Sequence, residues 1–172
     1  GGKRYRESYF EMFPGKWRHG DWIRLTSDGR SVIFGRSDTT INRFGIRMGT
    51  SEIYRAVEEI PEVLDSMVVD LEYLGRESFM PLFVVLRAGT ALDDALKARI
   101  KESIRQRASA RYVPNEIYAV SDIPRTLTGK KMELPVRKLL LGQPLEKVAS
   151  ADAMANAGSL TFFVELAKTP KG

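Results

Sequence analysis

The sequence has no cysteine and a single histidine, His19. The first lack removes disulfides, iron–sulfur clusters, thiolate zinc sites and a cysteine nucleophile together. The second leaves no multi-histidine metal centre, and a Ser-His-Asp triad could draw only on His19. No apolar run approaches the ~20 residues that a membrane-spanning helix needs, so no membrane partner is expected. Gly1 to Arg6 is polar and no apolar segment follows, so a cytoplasmic protein without a secretory leader is expected. An initiating methionine is also missing: the chain opens "GGKRYRESYF" and reads as a piece of a longer protein.

What is there is ordinary for a folded domain. The chain has 172 residues, 43% hydrophobic and 28% charged, which fits one domain with trimmings. A chain this long buries enough surface to need no covalent staple. Lysine and arginine total 27 against 22 aspartate and glutamate, a net charge of +5. A basic balance favours polyanionic partners such as nucleotides, coenzyme A, nucleic acid or acidic headgroups. A solvated basic surface explains it equally well. The basic residues gather at Lys97 to Arg111 and at Arg125 to Lys138. Neither cluster carries the interleaved aromatics of a single-strand binding platform.

Hydrophobic spacing gives the layout. Trp22, Ile23 and Leu25, then Ser27-Asp28-Gly29, then Val32, Ile33 and Phe34 predict a hairpin over 21–35. Residues 36–50 read as a loop or a very short strand pair. Ile53, Val57 and Ile60 predict a helix from about Ser51, capped by Thr50 or Ser51 and ended by Pro61. Strands follow at 63–73 and 79–86, joined by a turn around Gly75. Leu92, Leu96, Ile100 and Ile104 form an apolar stripe on a second helix, opened by Thr90 with Asp93 as capping partner. Glu116 to Val120 reads as a third strand, 124–131 as a loop, and Leu134, Leu139 and Leu140 as the inward face of a third helix stopped by Gly142. The expected class is α+β, a three-stranded sheet with packed helices preceded by a β-hairpin. The alanine-rich tail after 143, with Leu160, Phe162, Phe163, Val164 and Leu166, is expected to dock on another domain or subunit.

Two loops hold more glycine and charge than turns require. Gly35 to Arg47 offers backbone approach at Gly35 and Gly45 and three arginines, Arg36, Arg43 and Arg47, suited to phosphate or carboxylate. Pro124-Arg125-Thr126-Leu127-Thr128-Gly129-Lys130-Lys131 places a Gly-Lys pair at a loop tip. It is not a Walker A loop, because Pro124 stands where glycine should and Lys131 where a magnesium-binding hydroxyl should. His19-Gly20-Asp21 sets a carboxylate just before a strand, where it could accept two hydrogen bonds from a ribose diol. Each feature alone is matched by a bland reading as a solvated turn.

In order along the chain they are specific. His-Gly-Asp, Gly-Arg-Ser-Asp, Phe-Gly-Ile-Arg with Ser51-Glu52-Ile53, and Pro-Arg-Thr-Leu-Thr-Gly-Lys resemble the motifs of the acyl-adenylate-forming superfamily. That superfamily includes AMP-forming acyl-CoA synthetases, firefly-type luciferases and nonribosomal adenylation domains. The resemblance spans about residues 17–140. It implies that 1–37 ends a large adenylation domain, that 38–142 is the small C-terminal lid, and that 143–172 is an extension. "YRESYFEMFPGKWRHGDW" and "PRTLTGKKMELPVRKLLLGQP" are most similar to members that activate acetoacetate.

By position, the resemblance implies roles for single residues. Lys130 matches the catalytic lysine of the adenylation step. Asp21 matches the aspartate on the ribose hydroxyls, and Arg36 and Arg47 match arginines that reach the nucleotide. Asp38 matches the hinge about which the lid turns. Gly45 matches the glycine beside the pantetheine arm of coenzyme A, and Arg105 a residue near the CoA nucleotide. ATP, coenzyme A and acetoacetate or a similar short acyl acid are the implied substrates, with Mg2+ held by the large domain. A lysine acetyltransferase and deacetylase acting on Lys130 are implied partners, and no nucleic acid is expected. The pattern departs in places: Thr39 follows the hinge where aspartate is common, His19 stands for threonine, and Ile46 stands where acetyl-CoA synthetases carry histidine. A small basic nucleic-acid-binding module and a non-catalytic interaction domain remain the alternatives.

Overall fold

Period-two alternation in the central strand decides how the layers stack. The computed structural model describes residues 2–37, 41–43, 46–72 and 79–169. Strand β6 (Pro81–Leu86) is the middle of a three-stranded sheet, antiparallel to β5 (Val63–Val68) and parallel to β7 (Glu116–Ala119). Leu82 and Val84 point to one face and Phe83 and Val85 to the other, so each face needs its own cover. Helices α2 (Thr50–Glu58) and α3 (Asp94–Arg107) cover the first face through Ile53, Val57, Leu96, Ile100 and Ile104. Helix α4 (Glu133–Leu140) covers the second with Val136, Leu139 and Leu140. The sheet is therefore sandwiched between two helical layers, the α+β arrangement expected from the spacing.

Upstream, helix α1 (Lys3–Tyr9) leads into a run of aromatics that the strand and helix periods do not reveal. Tyr9 stacks on Trp17 at 5.8 Å, and Trp17 meets His19 edge-on at 5.1 Å. The hairpin forms as expected, β1 (Asp21–Leu25) against β2 (Ser31–Arg36). The short pair in the next segment is β3 (Ile41–Arg43) against β4 (Ile46–Met48). The turn around Gly75 lies outside the described residues.

Three local expectations are corrected. Helix α2 starts at Thr50 and is entered from Gly49, with no side-chain cap from Thr50 or Ser51. Helix α3 is capped by Asp93 itself, which accepts from the Leu96 N–H at 2.8 Å, rather than opened by Thr90. The tail does not look for another domain. After a short helix α5 (Leu145–Val148), helix α6 (Leu160–Lys168) returns to the second face, where Phe163 is fully buried 4.8 Å from the Phe83 ring. Leu160 and Met154 are buried with it. Residues 160, 163 and 167 follow helical spacing, and the open half of that face is what they fill.

Candidate functional site

The loop after β7 folds into a tight hairpin. The Thr126 carbonyl accepts from Gly129 N–H at 2.8 Å, and Thr126 N–H donates to the Lys130 carbonyl at 2.9 Å. Gly129 has φ +81°, a left-handed conformation that glycine adopts without strain. The Thr126 hydroxyl accepts from Lys130 N–H at 3.1 Å and lies 3.0 Å from the Thr128 hydroxyl. Both threonines of the motif thus act as turn locks. The result is a stiff turn with Lys130 exposed near its tip, and among the described residues its ammonium makes no ion pair.

The base of the turn is held by charge. The Lys131 ammonium lies 2.7 Å from Glu58 Oε1, 3.0 Å from Asp65 Oδ1 and 2.7 Å from the Ser66 carbonyl, and sits 3.9 Å over the Tyr54 ring. Arg125 donates to Asp65 Oδ2 at 2.5 Å and to the Gly129 carbonyl at 2.6 Å. Half-burial pushes the Asp65 carboxyl up, but the hydrogen bonds from Arg125 and Lys131 outweigh it and leave it below its ordinary value. Behind Lys131, Glu133 accepts from the Tyr54 hydroxyl at 2.7 Å, and burial holds its carboxyl above the ordinary range despite that bond. Burial, then the Glu133 charge, pushes the Tyr54 hydroxyl well above its usual value. The outer side of the hairpin is bound by the tail: Thr126 bridges Met154, and Asn156 Oδ1 accepts from Arg125 N–H at 2.9 Å.

On the hairpin β1–β2, Asp21 stands directly opposite Arg36, so two of the candidate nucleotide residues are cross-strand neighbours. His19 Nδ1 lies 2.6 Å from Asp21 Oδ2. Arg47 lies on β4, opposite Asn42. Asp38 and Gly45 fall outside the described residues. Arg105 is exposed near the end of α3, on the helical layer away from α4, and is paired with Glu102 one turn earlier. Lys130, Asp21 and Arg105 therefore occupy three separate elements.

Residues 52–130 match the family model of the AMP-binding enzyme C-terminal domain. The structure of acetoacetyl-CoA synthetase from Streptomyces lividans superposes with a TM-score of 0.89 and 51% identity, covering 97% of this chain and 25% of that one. Over residues 52–130 this chain is similar to the family of AMP-binding enzyme C-terminal domains. Among curated relatives, acetoacetyl-coenzyme A synthetase from Rhizobium meliloti is 43% identical over 96% of this chain and 25% of its own length. Acetoacetyl-CoA synthetase from Caenorhabditis elegans is 42% identical over 95% of this chain and 23% of its own. The chain spans about a quarter of the length of the curated relatives it matches. The matched domain ends on Lys130, so the tail residues that bind the lysine loop lie beyond it.

Ion pairs account for much of the basic cluster of α3. Lys97 pairs with Glu116 at 2.9 Å, Arg99 with Glu62 at 2.7 Å, Arg105 with Glu102 and Arg107 with Glu59. Most of the charge that suggested nucleic acid is answered by neighbouring carboxylates. Sequence reasoning missed Lys131, Asp65, Tyr54, Glu133 and Asn156. Their signal was present only as polar residues at the borders of apolar runs.

Proposed function

We propose that the chain is the C-terminal part of an AMP-forming acyl-CoA synthetase that joins acetoacetate to coenzyme A with ATP. AMP and diphosphate leave, and the adenylation step is served by Lys130. The observation that carries this reading is an exposed lysine on a locked turn, in a chain so similar throughout to acetoacetyl-CoA synthetases. In the first half-reaction a carboxylate attacks the α-phosphorus of ATP, and negative charge grows on the oxygens around it. A compact ammonium set there binds the transition state more tightly than the ground state, which raises the rate. Asp21 would accept from the ribose hydroxyls, with Arg36 and Arg47 toward the phosphates. In the second half-reaction the lid turns about Asp38, Lys130 withdraws, and Gly45 and Arg105 come to the coenzyme A side.

The large domain would supply the adenine and acyl pockets and Mg2+. The exposed Ile23, Leu25 and Ile33 on the hairpin support assigning residues 1–37 to it, with 38–142 as the lid and 143–172 as its extension. No helix among the described residues is long and apolar enough to cross a membrane, and we place the enzyme in the cytoplasm. An acetyltransferase that acylated Lys130 would silence adenylation by removing its charge, and a deacetylase would restore it.

The test uses the full-length enzyme. Lys130→Ala should reduce acid-dependent ATP–pyrophosphate exchange by at least about 10²-fold while sparing thioester formation from a supplied acyl-adenylate. The 172-residue chain alone should form no acetoacetyl-CoA. Equal loss of both half-reactions would refute the role given to Lys130.

A further inference from the structure

We infer that residues 150–168 form a strap that positions Lys130, and that Asn156 is its positioning residue. The inference rests on the role of Lys130 proposed above.

The lysine hairpin has two edges. On the inner edge Lys131 bridges Arg125, and on the outer edge Met154 bridges Thr126. Leu127 N–H donates to the Ala153 carbonyl at 3.2 Å, and Ala155 N–H donates to the Arg125 carbonyl at 3.0 Å. Thr126, whose hydroxyl fixes the Lys130 amide, thus lies between two extended segments. The tail supplies one of them.

Asn156 closes the arrangement. Its Oδ1 accepts from Arg125 N–H at 2.9 Å, while its Nδ2 donates to Asp122 Oδ2 at 2.5 Å and to the Ile123 carbonyl at 2.8 Å. One side chain therefore ties down three positions on the approach to the turn. The position needs an acceptor and two donors on one short planar group, which asparagine has and aspartate and alanine lack. The strap is itself anchored: the Ser159 hydroxyl donates to the Asn156 carbonyl at 2.7 Å, and Leu160 and Phe163 are buried just beyond. A charge that must meet a forming anion has to be held to within a fraction of an ångström: the turn's own bonds fix its shape, and the strap fixes its outer edge.

The experiment compares Lys130→Ala, Asn156→Ala, Asn156→Asp and the double variant Asn156→Asp with Asp122→Asn in the full-length enzyme. Adenylation is read as acid-dependent ATP–pyrophosphate exchange, and thioester formation from supplied acyl-adenylate and coenzyme A. Asn156→Ala should lower kcat for adenylation about 10- to 100-fold, with KM for ATP and the thioester step unchanged. Amide hydrogen exchange should quicken at Arg125 and Leu127 while the amides of β6 stay protected. The double variant returns one donor–acceptor pair with its direction reversed, and should recover part of what Asn156→Asp loses. If Lys130→Ala leaves adenylation intact, the role of Lys130 itself fails. If Lys130→Ala is inactive but Asn156→Ala adenylates at the normal rate, the strap is overturned. Equal loss of both half-reactions, or faster exchange throughout the sheet, would also overturn it, because either marks general destabilisation.

Discussion

Lys130 and Lys131 are adjacent, yet one is exposed at the turn and the other is fixed between Glu58, Asp65 and the face of Tyr54. The Lys131 side chain is only 16% exposed. The alternation of an extended segment produces this: consecutive side chains leave the backbone on opposite sides. Chemistry and anchorage are thereby divided between neighbours.

That division predicts opposite mutant phenotypes. Lys131→Ala removes two ion pairs, a bond to the Ser66 carbonyl and the cover over Tyr54, and should destabilise the chain by about 1–3 kcal/mol. Lys130→Ala should leave stability within about 0.5 kcal/mol of the wild type. Urea denaturation of both variants decides the matter. An equal loss in the two would mean that Lys130 also serves as a structural tie.

The sheet and its first helical layer were readable from the sequence because their periods are regular. Leu82, Phe83, Val84 and Val85 run on without a polar break, and a strand covered on both faces is what an unbroken apolar run implies. The Lys130 turn was readable from Thr126, Gly129 and their spacing. The tail was not, because alanine lowers the contrast between its faces and hides the spacing of Leu160 and Phe163. Nor could a Gly-Lys-Lys run say which lysine is fixed. That depends on carboxylates at 58 and 65, more than sixty residues away in the chain, brought together only by folding.

The tail carries a prediction of its own. Phe163 fills the second face against Phe83, so Phe163→Ala should cost about 3–5 kcal/mol. Truncation after Gly142 should go further and expose Phe83 and Met67, two side chains that are fully buried in the intact chain. Denaturant midpoints and dye binding to exposed apolar surface report both effects. A truncated chain with unchanged midpoint would mean that the tail adds nothing to the core.

Gly129 offers a cleaner test of the turn. A Cβ added there would meet no atom within 4 Å, so any penalty is conformational and arises from φ +81°. Gly129→Ala should destabilise by about 1–2 kcal/mol, the usual penalty for a left-handed residue with a side chain. Because no neighbour is displaced, the far side of the sheet should keep its hydrogen-exchange protection. Loss of protection in α3 would show that the turn is coupled to the whole domain.

The two part-buried carboxylates beneath the lysine turn should respond to acid in opposite directions. Asp65 is partly desolvated, but bonds from Arg125 and Lys131 leave its folded value below the ordinary one. Its stabilisation is complete above the unfolded value of about 3.9 and is lost as pH falls through the lower folded value. Glu133 is raised by burial, so below about 4.3 it is protonated in both states and carries no charge penalty. That penalty grows as pH rises through its elevated folded value. Asp65→Asn should therefore be clearly less stable than the wild type at neutral pH, with the gap narrowing in acid below about pH 4. Glu133→Gln keeps an acceptor for Tyr54, and its stability relative to the wild type should improve as pH rises from about 4 toward neutrality. Urea unfolding of the three proteins across this range checks both slopes, and an Asp65→Asn deficit that stays constant into acid would show that the carboxylate charge is not what holds the base of the turn.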